Sequence, residues 1–463
     1  MVTSSLKRFV HPDLLHGSIF KAIVLFTLPL FVSYIFQQLY NAADTVIIGR
    51  LLDDSALVSI GACTALYELL VGFGIGFGNG LSIVAAKAFG AGEVEKLKKI
   101  TAASIVITIF VTVFIMILTA FGLKPIMVLL KTPADRLNEA YSYISVITQF
   151  CGVLFAYNLF AGMLRAIGNS FVPLLFLIFS SVLNVILDFA FIKATGSIRG
   201  AAIATVIAQF VSGLLCLIYI FCAAKILVPS FRHFSFDSSL YKDLIGQGLS
   251  MAFMGAIVHS GTVILQSAIN SLDQMIIAGH LCARKIFTLT NIPIITLGLA
   301  ASTFVSQNYG AGQIERIRKG VRISIFITIV WTFLLFLPAW FLTEDLIKFI
   351  TNSTNPILLD YAKKYILFTL PFYLVLGGLI VIRNALQGFG QKILPLISSV
   401  IELAGKITFT CLIIPKLGKW GVILCEPLIW CVMLVQLLTV YLRLIRGNSC
   451  TPSPEPQAKN PAE

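Results

Sequence analysis

The chain is predicted to be an all-α integral membrane protein with twelve transmembrane helices in two pseudo-symmetric six-helix lobes. Three observations carry this expectation. The 463 residues are 58% hydrophobic and only 12% charged, with a mean hydropathy of +0.93, whereas a soluble domain is about one quarter charged. Twelve apolar runs are long enough to span a bilayer at roughly 20 residues each. The second half of the chain also repeats the first at nearly one offset.

The runs lie at approximately 19–48, 55–86, 100–123, 138–160, 171–192, 200–224, 241–270, 275–304, 321–342, 360–384, 393–414 and 421–445. Before the first stands MVTSSLKRFVHPDLLHGS, whose His, Pro and Asp fall where a signal peptide needs its apolar core. Pro29 should kink the first run. The second carries GFGIGFGNG, Gly72–Gly80. It resembles a nucleotide-binding glycine pattern, but no strand precedes it, and close helix packing is the better reading. In the eighth, Arg284 and Lys285 sit about ten residues in. Either that helix starts near Ile286 or the two cations line an aqueous cavity.

Lys87–Lys99 reads KAFGAGEVEKLKK and Gln307–Lys319 reads QNYGAGQIERIRK. LRAIGNSFVPL from Leu164 and LQGFGQKILPL from Leu386 match at nearly the same offset. The expected division is an N-terminal lobe over 1–224, a cytoplasmic linker over 225–240, a C-terminal lobe over 241–445 and a disordered tail over 446–463. In transporters built from repeats, substrate sites lie between or within the halves.

An even number of passes puts both termini on one side. Lys and Arg favour the side of the N-terminus, 20 against 13, so both ends are expected in the cytoplasm of a cell-membrane protein. A net charge of +13 then reflects loops meeting anionic lipid rather than nucleic acid. The nine cysteines are scattered, with no CxxC pair, and read as small buried hydrophobes. No P-loop, HExxH or GxSxG occurs. The expectation is a non-enzyme, monomeric, without a cofactor.

Five acids fall inside the runs: Asp44, Glu68, Asp188, Glu402 and Glu426. A carboxylate at a helix centre costs roughly 2.5–3.5 kcal/mol on insertion scales, so it normally faces a cavity or a partner. Gln37, Asn41 and Asp44 are spaced to share one helical face, and so are Asn184 and Asp188. If the first, fifth and sixth helices pack together, Asp44, Asp188, Asn184 and Thr205 converge as a hard-oxygen set. That set suits Na⁺, and it suits a proton, because neighbouring carboxylates repel. The alternative is a structural hydrogen-bond network. Asn158 and Glu402 are further cavity candidates. Glu402 and Lys406, four residues apart, also read as an intrahelical ion pair. His259 reads as a core histidine. The halves differ at these positions. At the first offset the counterpart of Asp44 is Ile264, and at the second the counterparts of Asn184 and Asp188 are Lys406 and Thr410.

Several segments carry a family likeness: LYNAADTVIIGRL, GFGNGLSIVAAKAFGAGE, LRAIGNSFVPL, LNVILDFAFI, RGAAIATVIAQ and FVSQNYGAGQIERIRKG. Together they resemble the MATE (multidrug and toxic compound extrusion) transporters, the MepA-like and DinF-like bacterial members most, over residues 15–445. The resemblance implies a V-shaped fold of two six-helix lobes and export of organic cations in exchange for H⁺ or Na⁺. It also implies that Asp44, Asn184, Asp188 and Thr205 form the coupling site, with Gln37 and Asn158 in the cavity of the same lobe. Glu402 is similar to a feature of the MepA-like branch. The helix-7 acid of NorM-like members is missing here, where only Asp243 opens the run. A lipid-linked-sugar flippase of the same superfamily is the alternative. It would need Arg165, Arg284, Lys285, Arg383 and Lys406 around a central pocket.

Overall fold

A computed structural model describes residues 12–130 and 132–446; the proposed tail from 447 onward lies outside the described residues. Each apolar run is a helix. In order they are α1 (Ile19–Leu51), α2 (Asp54–Gly90), α3 (Val94–Leu129), α4 in two pieces (Leu137–Gln149 and Cys151–Ala166), α5 (Phe171–Thr195) and α6 (Ile198–Ala223). The second half gives α7 (Ser238–Ile269), α8 (Gln274–Gly310), α9 (Ile314–Thr351), α10 (Pro356–Gly388), α11 (Ile393–Leu417) and α12 (Lys419–Arg446). The two pieces of α4 meet at 45°, so eleven helices and one bent pair make twelve passes. The helices outrun the apolar runs because capped, charged turns continue them past the bilayer. Side chains of Asp53, Ser197, Asp237 and Asp273 accept hydrogen bonds from the first-turn amides of α2, α6, α7 and α8. The cap at Asp273 decides one open point. α8 begins at Gln274, not near Ile286, so Arg284 and Lys285 lie inside it. α1 passes without a break through Pro29, whose carbonyl accepts the Ser33 hydroxyl at 2.8 Å.

The outer surface is apolar. On α3, Phe110, Phe114, Ile117 and Phe121 follow one face and all are exposed; on α9, Phe333, Leu337, Trp340 and Phe341 do the same. Such faces suit lipid rather than water. Inside, α2 to α6 bury one core (Phe77, Leu81, Ile100, Met163) together with Leu244 and Ala252 of α7, and α8 to α12 another (Leu297, Phe304, Leu386, Trp430) together with Ile23 and Phe26 of α1 and Leu265 of α7.

The repeated glycines explain how the halves meet. Gly72, Gly76 and Gly80 form one stripe of α2 against α7. A Cβ on Gly76 or Gly80 would lie 2.5 Å from the carbonyl oxygen of Met251 or Gln247. Gly74 and Gly78 face α4 instead, against Phe155 and Asn158. At the end of the bundle holding both described termini, the two GAG motifs cross. A Cβ on Gly90 would overlap the Gln307 carbonyl, and one on Gly310 would overlap that of Lys87. Cross-lobe hydrogen bonds gather there: Ser306 to the Ile83 carbonyl (2.6 Å), Gln307 to that of Ala166 (2.7 Å) and Asn308 to that of Leu14 (3.1 Å). Arg316 holds the segment before α1 through the carbonyls of Leu14, His16 and Gly17. The segment joining the halves is folded onto the first one, where Glu95 accepts from Arg232 and meets buried His233, both at 3.0 Å.

Candidate functional site

Asp44 stands seven residues before the end of α1, and Asp188 stands seven before the end of α5. The helices pack side by side, which makes the two carboxyl groups neighbours. Asp188 is fully buried, and Asp44 is half-buried with Oδ1 closed off. Among the described residues, no donor reaches Asp44 Oδ1 or either oxygen of Asp188. Asn184, one turn before Asp188 on α5, is buried too, and neither end of its amide has a partner. Buried polar groups are nearly always hydrogen-bonded. A cluster of unpartnered acid oxygens with an idle amide is therefore a place built for something else to enter. Thr205 is buried on α6, the neighbour of α5.

Three tyrosines complete this region. Tyr40 lies one turn before Asp44 and meets Tyr67 of α2, while Tyr143 of α4 lies near both acids. Sequence reasoning missed them. The signal for Tyr40 was present, since it stands four residues before Asp44 and so on the same face. Tyr67 and Tyr143 are brought in only by packing.

The cavity candidates do not all gather here. Gln37 is half-buried two turns before Asp44, and Asn41 is exposed. Asn158 is buried at the α2 crossing, where its amide donates to the Leu154 carbonyl at 2.8 Å. Glu402 is buried in the other lobe, 2.9 Å from Lys406. His259 lies on the α2–α7 seam, 3.7 Å from Glu68, with both side chains partly exposed. Of the cations that a basic pocket would need, Arg284, Arg383 and Lys406 gather around Glu402 and Glu426 in the C-terminal lobe, while Arg165 and Lys285 stand apart. Arg284 pairs with Glu426 at 2.6 Å, Lys406 with Glu402, and Arg165 donates to Asn79 at 3.1 Å. Lys285 is exposed.

The MatE family model matches twice, over residues 29–190 and 250–411. The chain belongs to the MatE family. The spacing of the two matched stretches agrees with the repeat seen in the sequence. Among relatives, "Probable multidrug resistance protein YoeA" of Bacillus subtilis is 25% identical over 92% of this chain and 94% of its own. "Probable multidrug resistance protein YpnP" of the same organism is 24% identical over 89% and 92%. A solved structure described as the outward-facing conformation of a multidrug resistance MATE family transporter superposes with a TM-score of 0.84 at 21% identity. It covers 95% of this chain and 98% of that one. The fold is thus that of the MATE transporters, and the protein is a multi-pass membrane transporter.

Proposed function

We propose that this MATE-family protein exports organic cations, drugs among them, by exchange for H⁺ or Na⁺, with the ion held between Asp44 and Asp188. The observation that carries the reading is the pair of facing, unpartnered carboxyl groups inside the N-terminal lobe. Two adjacent buried carboxylates repel, and a bound cation removes that repulsion. Asn184 and Thr205 contribute neutral oxygens on α5 and α6. An ion that binds one arrangement of the lobe better than the other shifts the balance between them by that difference and no more. Substrate affinity then differs between the loaded and empty states, and that difference drives exchange.

The names of the relatives support drug efflux, and the engaged state of Arg284 and Lys406 favours a cation carrier over a carrier of lipid-linked pyrophosphate. We place the protein in the cell membrane with both termini in the cytoplasm, acting as a monomer among membrane lipids. The test is flux in liposomes. An imposed H⁺ or Na⁺ gradient should drive movement of a fluorescent organic cation, and Asp44→Asn should remove the response. Unchanged ion-driven flux in that variant overturns the proposal.

A further inference from the structure

The C-terminal lobe holds a second group of buried charges. Lys406 of α11 is 2% exposed. Its Nζ lies 2.9 Å from Glu402 Oε1, 3.2 Å from Thr262 Oγ1 on α7 and 3.9 Å from Glu426 Oε1 on α12. The other oxygen of Glu426 accepts from Arg284 at 2.6 Å and from the Tyr365 hydroxyl at 3.3 Å. Gly261 leaves room for the lysine stem, since a Cβ there would lie 2.9 Å from Lys406 Cδ. Just after Lys406, α11 widens into a π turn over Phe409–Ile413, and the Thr410 hydroxyl is buried without a partner.

Oxygens from three helices thus surround one desolvated ammonium, the arrangement that would hold a free monovalent cation. Two carboxylates stand against Lys406 and Arg284, and half-buried Arg383 of α10 lies within electrostatic reach of Glu402. The repeat adds a second argument. Lys406 and Thr410 occupy in the second half the places that Asn184 and Asp188 hold in the first. Where one lobe has two neighbouring acids, the other has a lysine.

We infer that the C-terminal lobe contains a monovalent-cation site, formed by Glu402, Glu426 and Thr262, that the ammonium of Lys406 fills permanently. A tethered cation cannot leave, so this lobe keeps the same charge whichever way the transporter faces. The inference is independent of ion coupling at Asp44 and Asp188. Truncating Lys406 opens the site to small cations, ethylammonium and methylammonium best, Na⁺ also.

The test is thermal unfolding of the purified full chain at constant ionic strength, with ethylammonium, methylammonium or Na⁺ replacing the bulky N-methylglucammonium. A ligand that binds the folded state alone raises Tm with its concentration. Lys406→Ala should show a saturable rise of Tm toward the wild-type value with ethylammonium. Wild type, whose site is full, and Lys406→Ala/Glu402→Gln, which has lost a ligand together with the charge, should not respond to ethylammonium. Recovery of Lys406→Ala only when a small cation is present during purification supports the site equally. Four results overturn it: a flat Tm in Lys406→Ala, an equal rise in wild type, an equal rise in the double variant, or failure to recover Lys406→Ala in any of these cations.

Discussion

The two lobes are built alike and charged differently. α2 and α8 end in the same GAG turn, and the first glycine of each lies against a carbonyl of the opposite lobe. Helix lengths, order and packing repeat as well. The interiors do not. Behind α1 and α5, two acids face each other with no cation beside them. Behind α8, α11 and α12, two acids are paired with Arg284 and Lys406, and Arg383 is half-buried near one of them. The difference shows that the repeat fixes the scaffold, while single positions within it set the charge of each half. Ile264 stands where the first half has Asp44, and Lys406 where it has Asn184.

The largest expected effect tests the open half. Asp188→Asn keeps the shape of the side chain and removes its charge, leaving Asp44 without its acidic neighbour. Ion-driven uptake in liposomes should fall to that of protein-free vesicles, whereas Glu402→Gln in the closed half should retain a measurable response. Equal losses from the two substitutions would mean that coupling is shared between the lobes.

Stability should change in opposite senses. Glu426→Gln leaves Arg284 and Lys406 facing one carboxylate fewer. Removing one partner of a buried ion pair typically costs about 3–5 kcal/mol. Asp188→Asn relieves two crowded acids and should leave Tm unchanged or raised. Tm measured on the two purified variants decides the matter, and a comparable loss in Asp188→Asn would show that its carboxylate already has a compensating charge.

The next pair should behave alike, because it probes what the lobes share. Gly90→Ala and Gly310→Ala each force a methyl group into a carbonyl of the other lobe. Overpacking of this kind costs about 1–3 kcal/mol. Here the structure can escape by separating the lobes at that end. Double electron–electron resonance between labels on Lys96 and Lys319 should report a longer distance in both variants. A response in only one of them would show that the crossing is not symmetric in its energetics.

Much of the fold is legible in the sequence alone. Hydropathy located twelve passes because burial in lipid demands unbroken apolar length, and the ends shifted only where caps and charged turns carry helices beyond the bilayer. The glycine spacing in α2 pointed to close packing, although its division between α7 and α4 needed the neighbours. Asp44, Asn184 and Asp188 stood out as costly residues in apolar runs. What the sequence could not supply was pairing across helices. Arg284 looked misplaced until Glu426, distant in the chain, came within 2.6 Å. The intrahelical reading of Glu402 with Lys406 matches the observed contact, but Thr262 and Glu426 join it through tertiary packing. Tyr67 and Tyr143 were hidden for the same reason, since aromatic residues are common throughout and only packing brings these two to Asp44.

The smallest expected effect measures the completeness of the closed half. Thr262 donates no charge; its hydroxyl accepts one hydrogen bond from Lys406 at 3.2 Å. Thr262→Val preserves the volume and removes that oxygen. Lys406 keeps Glu402 at 2.9 Å and Glu426 at 3.9 Å, so charge balance survives. The net loss should be about 0.5–1.5 kcal/mol, the usual range for one intramolecular hydrogen bond. A double-mutant cycle with Lys406→Met separates this contact from the general effect of valine on α7, because the interaction energy vanishes when either partner is absent. A coupling near zero would place the Thr262 hydroxyl outside the lysine's oxygen shell. A coupling as large as that between Lys406 and Glu402 would mean that the hydroxyl, rather than the second carboxylate, does most to hold the ammonium in place.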